Sequence, residues 1–428
     1  MPSRWSSSTA VSVALSVLAG ASACRKGATP VPPKQTPAAV VQAVQAASPS
    51  SSSPPAFAGA ATTTIPLSER AAIAARLTYI SERDGHREVY LQRPDGTAER
   101  RLTYGKVSSY NGPVSPSGQD LLVTSAESEE EGGKQWFSLL RLPQDATATP
   151  PEPLRPLGGK RGMLRSPSWS PDGELIYFES NSAGFCDLFS IRRRDGKLTQ
   201  LTNNPEGNFS PVLSPSGDRL AFISSRDRVA ELYLMQLSGG QVQRLTDTPR
   251  DEWTPKWSPD GKWLLLGSDR ESADRLYLVR LGTSTPATIE QTQRLSTQDS
   301  KWRADVKQVE EQAAWSPDSR RLAYVLRRPG EPSQLVIMDL DEQGQLQPLR
   351  TLSLGDDRNL REPAFSPDGR YLVFSANRQK NGQLYLARSD GRDPTPLGSA
   401  QSMDWNPQWV TPPPATPATK TVSALTTR

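Results

Sequence analysis

Histidine occurs once in these 428 residues, as His86, and cysteine twice. A single histidine excludes a multi-histidine metal centre. It leaves one candidate for a nucleophilic triad, but no Gly-x-Ser-x-Gly elbow is present to partner it. His86 falls in the turn sequence Arg83-Asp84-Gly85-His86, where an exposed structural role is expected. Neither sign of charge dominates: 50 basic against 46 acidic residues leave a net charge of +4. No basic stripe with interleaved aromatics occurs, so the pI near 9.0 does not point to nucleic acid. The acidic run Glu127 to Glu131 lacks the ligand spacing of a calcium loop and reads as a solvated connection. No metal or cofactor is expected.

What is present is a phrase repeated six times. It reads Ser115-Pro116-Ser117-Gly118, Ser170-Pro171-Asp172-Gly173, Ser214-Pro215-Ser216-Gly217, Ser258-Pro259-Asp260-Gly261, Ser316-Pro317-Asp318-Ser319 and Ser366-Pro367-Asp368-Gly369, at spacings of 55, 44, 44, 58 and 50 residues. Proline presets φ for a turn corner, Asp or Ser caps it, and Gly takes the positive-φ position. Strand-like runs follow each turn, among them Leu175 to Ser180, Leu220 to Ser224 and Leu372 to Ser375. A second apolar run comes next, as in Asp187 to Ile191 and Glu231 to Leu237. Short closing runs such as Arg244-Leu245-Thr246 complete several units. Four strands per unit of about 45 residues is the propeller pattern.

The ends of the array bear on closure. Leu77 to Ser81, Glu88 to Leu91 and Arg100 to Thr103 match the second, third and fourth strands of a unit, with no first strand before them. Asn406-Pro407-Gln408-Trp409-Val410 matches a first strand, by comparison with Pro167 to Trp169 and Pro255 to Trp257. Trp409's strand therefore completes the unit begun at Leu77. The expected fold is an all-β, seven-bladed propeller over 77–410, closed by both terminal strands and leaving no open sheet edge.

The pattern Pro-x-Trp-Ser-Pro-Asp-Gly, an apolar strand, a Leu-Tyr strand and Arg-Leu-Thr resembles the repeat of TolB-like propellers. It is clearest in Pro167 to Thr202 and Pro255 to Leu281. The resemblance implies the fold far more than the function. The family's namesake has six blades after a folded α/β domain. This chain counts seven, after low-complexity sequence.

Residues 1–24 read as an export signal, with Arg4 in the n-region, an apolar stretch from Val11 to Leu18 too short to span a bilayer, and the small residues Ala21-Ser22-Ala23. With Cys24 next, this resembles a bacterial lipoprotein signal, which would lipidate Cys24; Ala-Ser-Ala also fits ordinary cleavage. Arg25 after the cysteine implies the outer membrane, by resemblance to sorting rules. Residues 25–76 form a Pro/Ala/Ser/Thr-rich linker, and the 411–428 tail repeats that composition. If Cys24 carries a lipid, no intramolecular disulfide remains, and Cys186 reads as a small core residue.

The repeated Asp172, Asp260, Asp318 and Asp368 are accounted for by turn capping rather than acid–base chemistry. Trp169, Trp257, Trp315 and Phe365 recur before the turns and read as packing between blades. The positions that vary lie earlier on each first strand, which lines the channel: Tyr110, Asn111, Arg165, Asn208, Phe209, Glu252, Trp253, Glu310, Glu311, Arg361, Glu362 and Trp405. Arg303, in an insertion from Thr297 to Gln312, is expected on the same rim. Exposed Trp and Arg are favoured in binding hot spots. The expected function is a non-enzymatic envelope module that engages a protein or peptide through this channel mouth. It would touch the membrane only through its lipid anchor. A glycan-binding module, or a hydrolase or lyase acting on sugars or peptides, is the alternative.

Overall fold

A computed structural model describes residues 63–411, apart from 128–133, 144–154, 272, 285, 297–307, 356–357, 379–380 and 399–402. The expected export signal, most of the linker and almost all of the C-terminal tail lie outside the described residues. The chain forms seven four-stranded antiparallel sheets. Blade 1 takes Asp404–Val410 as its inner strand, followed outward by Arg76–Ser81, Glu88–Gln92 and Arg100–Arg101. Blades 2 to 7 each run outward in chain order from the inner strands Ser108–Val114, Leu164–Trp169, Asn208–Leu213, Glu252–Trp257, Val309–Trp315 and Asn359–Phe365. This is the seven-bladed propeller that the repeats imply. Its closure is the expected one, with Leu77 opposite Trp409 and Ser81 opposite Asp404.

The turns explain the regularity. In Ser170 to Leu175 the Gly173 N–H donates to Ser170 O at 2.8 Å, and the Ser170 hydroxyl donates to Asp172 Oδ1 at 2.5 Å. Asp172 also accepts the Glu174 N–H at 3.0 Å, and Ser170 Oγ accepts that of Leu175 at 2.9 Å. The hydrogen bond from Ser170 holds the Asp172 carboxyl below its ordinary range. Asp260, Asp318 and Asp368 repeat these contacts, so the recurring carboxylates are turn caps, as expected.

The core lies between neighbouring blades. One cluster joins Ala221, Leu232 and Leu234 of blade 4 to Trp257, Leu264, Leu266 and Val279 of blade 5. Each such side chain contributes about 1.5–3 kcal/mol by burial. The tryptophans before the turns reach back to the preceding blade. Trp169 Nε1 donates to Pro113 O at 2.9 Å, Trp257 to Val212 O at 3.1 Å and Trp409 to Ala364 O at 3.0 Å.

Two expectations are corrected. Residues 63–75, assigned to the linker, are packed: Ile65 and Ile73 are buried with Leu77 and Tyr79 of blade 1 and Tyr371, Leu386 and Leu397 of blade 7. In the short helix Leu67–Ala71, Glu69 pairs with Arg388 at 2.9 Å and accepts from Tyr371 Oη at 2.8 Å. A few apolar residues in a polar stretch suffice to cover the seam between first and last blades. Cys186 is buried as expected, but it is disulfide-bonded rather than a free core thiol.

Candidate functional site

The seven inner strands line the channel. Their starts open on one mouth, and the Ser-Pro turns after their ends surround the other. The expected binding residues separate into three positions along these strands.

The fifth residue before each turn is half-buried at the first mouth: Tyr110, Arg165, Phe209, Trp253, Glu311, Arg361 and, in blade 1, the matching Trp405. The structure brings two of them together. The Tyr110 and Trp405 rings meet edge to face at 6.4 Å. Arg87, which the sequence did not single out, lies 5.5 Å from the Tyr110 ring centre and 5.7 Å from that of Trp405. It also donates to Tyr110 Oη at 2.6 Å. Trp253 lies over Gly267, its cross-strand partner; a Cβ at Gly267 would stand 2.1 Å from the Trp253 Nε1. Glu311 pairs with Arg327 at 3.2 Å. Arg303 lies outside the described residues.

The residue before this position is buried, which corrects three expected entrance residues: Asn208, Glu252 and Glu310 are at most 1% exposed. A repeated sequence signal explains the burial. It is Ser81-x-Arg83-Asp84, Ser224-x-Arg226-Asp227 and Ser268-x-Arg270-Glu271. Each arginine stacks over a tyrosine, with guanidinium-to-ring distances of 4.5 Å to Tyr90, 4.6 Å to Tyr233 and 4.0 Å to Tyr277. Each then reaches the start of its own inner strand, at Asp404, Asn208 or Glu252. Glu310 instead accepts the Leu276 N–H at 3.1 Å and faces Arg275 and Arg294.

Glu252 meets Glu231 of the preceding blade across one hydroxyl. Thr246 Oγ1 stands 2.6 Å from a carboxylate oxygen of each. A hydroxyl has one proton to donate, so the second contact needs a proton on a carboxyl. At the matching place one blade earlier, an amide supplies it: Asn208 Nδ2 donates to Asp187 Oδ1 at 2.9 Å. Burial pushes the Glu252 carboxyl up to about 7, in line with a shared proton.

The residue after the entrance position sits in a β-bulge. Ser166, Ser210, Thr254, Gln312, Glu362 and Asn406 adopt φ between +49° and +54°. Such backbone is rare outside Gly, and bulges re-aim groups next to sites. Here the bulged N–H turns toward an acceptor from the preceding blade. Glu362 N donates to Gln312 Oε1 at 3.0 Å, Asn406 N to Glu362 Oε2 at 2.6 Å, and Ser210 N to Glu179. Asn406 Nδ2 continues to Asn111 Oδ1 at 2.9 Å. Asn111 and Glu362, expected at the entrance, are thus part of a ring of inter-blade bonds inside it. Burial raises the pKa of both Glu179 and Glu362.

His86 faces Glu88, with Nε2 2.8 Å from Oε1, beside Arg101. Among the described residues, no three His, Cys, Asp or Glu side chains are grouped to hold a metal ion. No described helix is long and apolar enough to cross a membrane.

Comparison with known sequences adds the family of the repeats. The profile of the TolB beta propeller domain matches residues 198–309, spanning the last strand of blade 3 and all of blades 4 and 5. The propeller is TolB-like. No curated protein matched the sequence. Solved structures similar to this TolB-like chain include TolB from Acinetobacter baumannii, at 22% identity over 81% of this chain and 86% of that one, with a TM-score of 0.46. A periplasmic gluconolactonase from Pseudomonas aeruginosa matches at 18% identity, 79% and 99% coverage and a TM-score of 0.55. An oligogalacturonate lyase from Vibrio parahaemolyticus matches at 14% identity, 77% and 86% coverage and a TM-score of 0.53. These likenesses show the fold alone, and propellers of this shape carry unrelated functions.

Proposed function

We propose that this TolB-like propeller is a non-enzymatic binding module of the cell envelope that engages a protein or peptide at the mouth formed by the inner-strand starts. One observation carries the reading. Seven side chains at one strand position, mostly aromatic or Arg, stay half-buried, while in several blades the positions on either side are taken up by hydrogen bonds within and between blades. Tyr110, Trp405 and Arg87 form an amphipathic platform there, of the composition favoured at interface hot spots. A rigid ring carrying such side chains is a usual place for recognition.

Site-specific photocross-linking in the native envelope tests the proposal. A photoreactive residue at 253 or 405 should capture a discrete protein, and one at Val242, exposed on the outer rim of blade 4, should not. Capture from the rim alone would overturn it.

An export signal at residues 1–24 would carry the module out of the cytoplasm, and a disulfide at Cys186 suits an oxidising compartment. The chain's other cysteine is Cys24. Its one sulfur cannot serve both a lipid and a disulfide, so the bonded state of Cys186 counts against lipid on Cys24. Lipid on Cys24 predicts a heavier mature protein and a Cys24→Ser variant that moves from membrane to soluble fractions. A mature protein two hydrogens lighter than its sequence, with unchanged fractionation of the variant, would contradict anchoring.

A further inference from the structure

The connection between the third and fourth strands of blade 3 reads Arg192-Arg193-Arg194-Asp195-Gly196-Lys197. Its backbone does not require these cations. The Arg192 N–H donates to Lys197 O at 2.9 Å, the Gly196 N–H to Arg192 O at 2.8 Å and the Arg193 N–H to Glu174 O at 2.9 Å. Blade 4 makes the same three bonds, at the same lengths, with the uncharged Gln236-Leu237-Ser238-Gly239-Gly240-Gln241.

The run meets basic residues of blade 2. Arg193 and Arg141 share one buried carboxylate, Asp120, which lies 3.4 Å from Arg141 Nη1. Arg192 and Arg194 share Asp195, at 3.2 and 3.7 Å. Arg155 donates to Arg193 O at 3.0 Å. Among the described residues neither Arg155 nor Lys197 forms an ion pair, and both are exposed, as are Arg141 and Arg194. With Glu174 counted, six cations face three carboxylates. The same face of the disc is balanced at blades 6 and 7. There Arg320, Arg321, Arg370 and Arg392 each have a carboxylate of their own, on Glu342, Asp339, Asp368 and Asp390. Arg388 has two, Glu69 and Asp393. The surplus at blades 2 and 3 is therefore local.

We propose that this edge binds the phosphates of an anionic phospholipid surface. Guanidinium groups take phosphate oxygens in pairs and give up water more readily than ammonium groups. Two cavities along the channel, of 520 and 380 Å³, include none of these residues. Cations spread over two blade edges suit a layer of headgroups better than one enclosed anion. The edge lies on the face of the Ser-Pro turns, so contact there leaves the entrance mouth open. The contact does not rest on the proposed function.

Co-sedimentation of the full chain with lipid vesicles tests the inference. Vesicles of phosphatidylcholine alone record whatever the N-terminal residues or a lipid contribute. Equal mixtures of phosphatidylcholine and phosphatidylglycerol should hold the chain at least about tenfold more tightly, as for a few surplus cations near an anionic surface. The preference should vanish at about 1 M salt, where the screening length is about 3 Å. A triple variant, Arg192→Gln, Arg194→Ser and Lys197→Gln, carries the side chains that blade 4 has at these positions. It should melt as the unaltered chain does and lose most of the preference. Arg320→Gln, Arg370→Gln and Arg392→Gln together remove the same charge from blades 6 and 7, and that protein should keep the preference. Equal binding of the unaltered chain to both kinds of vesicle would overturn the proposal whether or not the variants fold. So would equal loss in the two triple variants, a folded first variant with the full preference, or saturable binding of soluble polyphosphate without vesicle binding.

Discussion

Trp253 and Trp257 stand four residues apart in one strand and serve different ends. Trp257 is buried and hydrogen-bonded to the preceding blade. Trp257→Ala should cost roughly 3–5 kcal/mol in urea unfolding, as for a core aromatic. Trp253 rests on Gly267 at the mouth, and Trp253→Ala should cost clearly less. Gly267→Ala gives a complementary check. Its new Cβ would collide with the Trp253 indole and unseat it, so partner binding should fall although the tryptophan is still there. Binding by the Gly267→Ala protein equal to that of the unaltered chain would show that the seated ring is not used. The contrast between the two tryptophans was legible in the sequence, because the residue before the turn recurs as an aromatic while the entrance residue varies. Asn208, Glu252 and Glu310 misled for the same reason. They vary between units too, but each is matched to a different partner, Asp187, Glu231 or Arg275, on the preceding blade. A pairing across a blade junction leaves no trace in the inner strand itself, although the Ser-x-Arg-Asp/Glu signal on the next strand marks the arginines that reach Asn208 and Glu252.

At the scale of elements, the turns and the second and third strands were plain in the sequence, since proline, glycine and alternating apolar residues mark them. Fourth strands were less so. Arg155–Arg161 of blade 2 and Leu346–Leu352 of blade 6 lie on the outer edge, where one face meets solvent and little apolar pattern is needed. The bulges were not legible, because a serine, threonine, glutamine, glutamate or asparagine at positive φ carries no glycine signature. The junction of blades 4 and 5 yields a pH prediction. Burial and the neighbouring Glu231 raise the Glu252 carboxyl to about 7, outweighing Arg270. Arg244 and Asp247 complete the charged groups around Glu231. A carboxyl with a higher pKa folded than unfolded binds its proton more tightly in the native state. Its contribution is therefore fully present below the ordinary carboxylate range and is lost as pH rises toward 7. The decline should be on the order of 2 kcal/mol. Glu252→Gln places an amide where Asn208 already shows one works, so its unfolding free energy should lack that decline. Parallel pH profiles for the two proteins, measured by urea unfolding between pH 5 and 8, would contradict the shared proton.

For the whole molecule, closure depends on the last strand. Removing residues from Asp404 onward strips the inner strand of blade 1, along with the Trp409 bond to Ala364 and the Asn406 bond to Asn111. That protein should melt lower or aggregate through its exposed edge. Truncation after Pro413 should leave melting unchanged. Equal melting of the two would refute the shared blade. Function is less legible than fold at this scale, because the repeat constrains what each blade must bury and leaves the mouth free to vary. The most direct test of the account is the affinity of a captured partner for the chain carrying Tyr110→Ala, Trp253→Ala or Trp405→Ala. The account predicts a loss of about 2 kcal/mol or more at a true hot spot, with each variant melting well above Trp257→Ala. Stable variants that bind the partner with full affinity would contradict it.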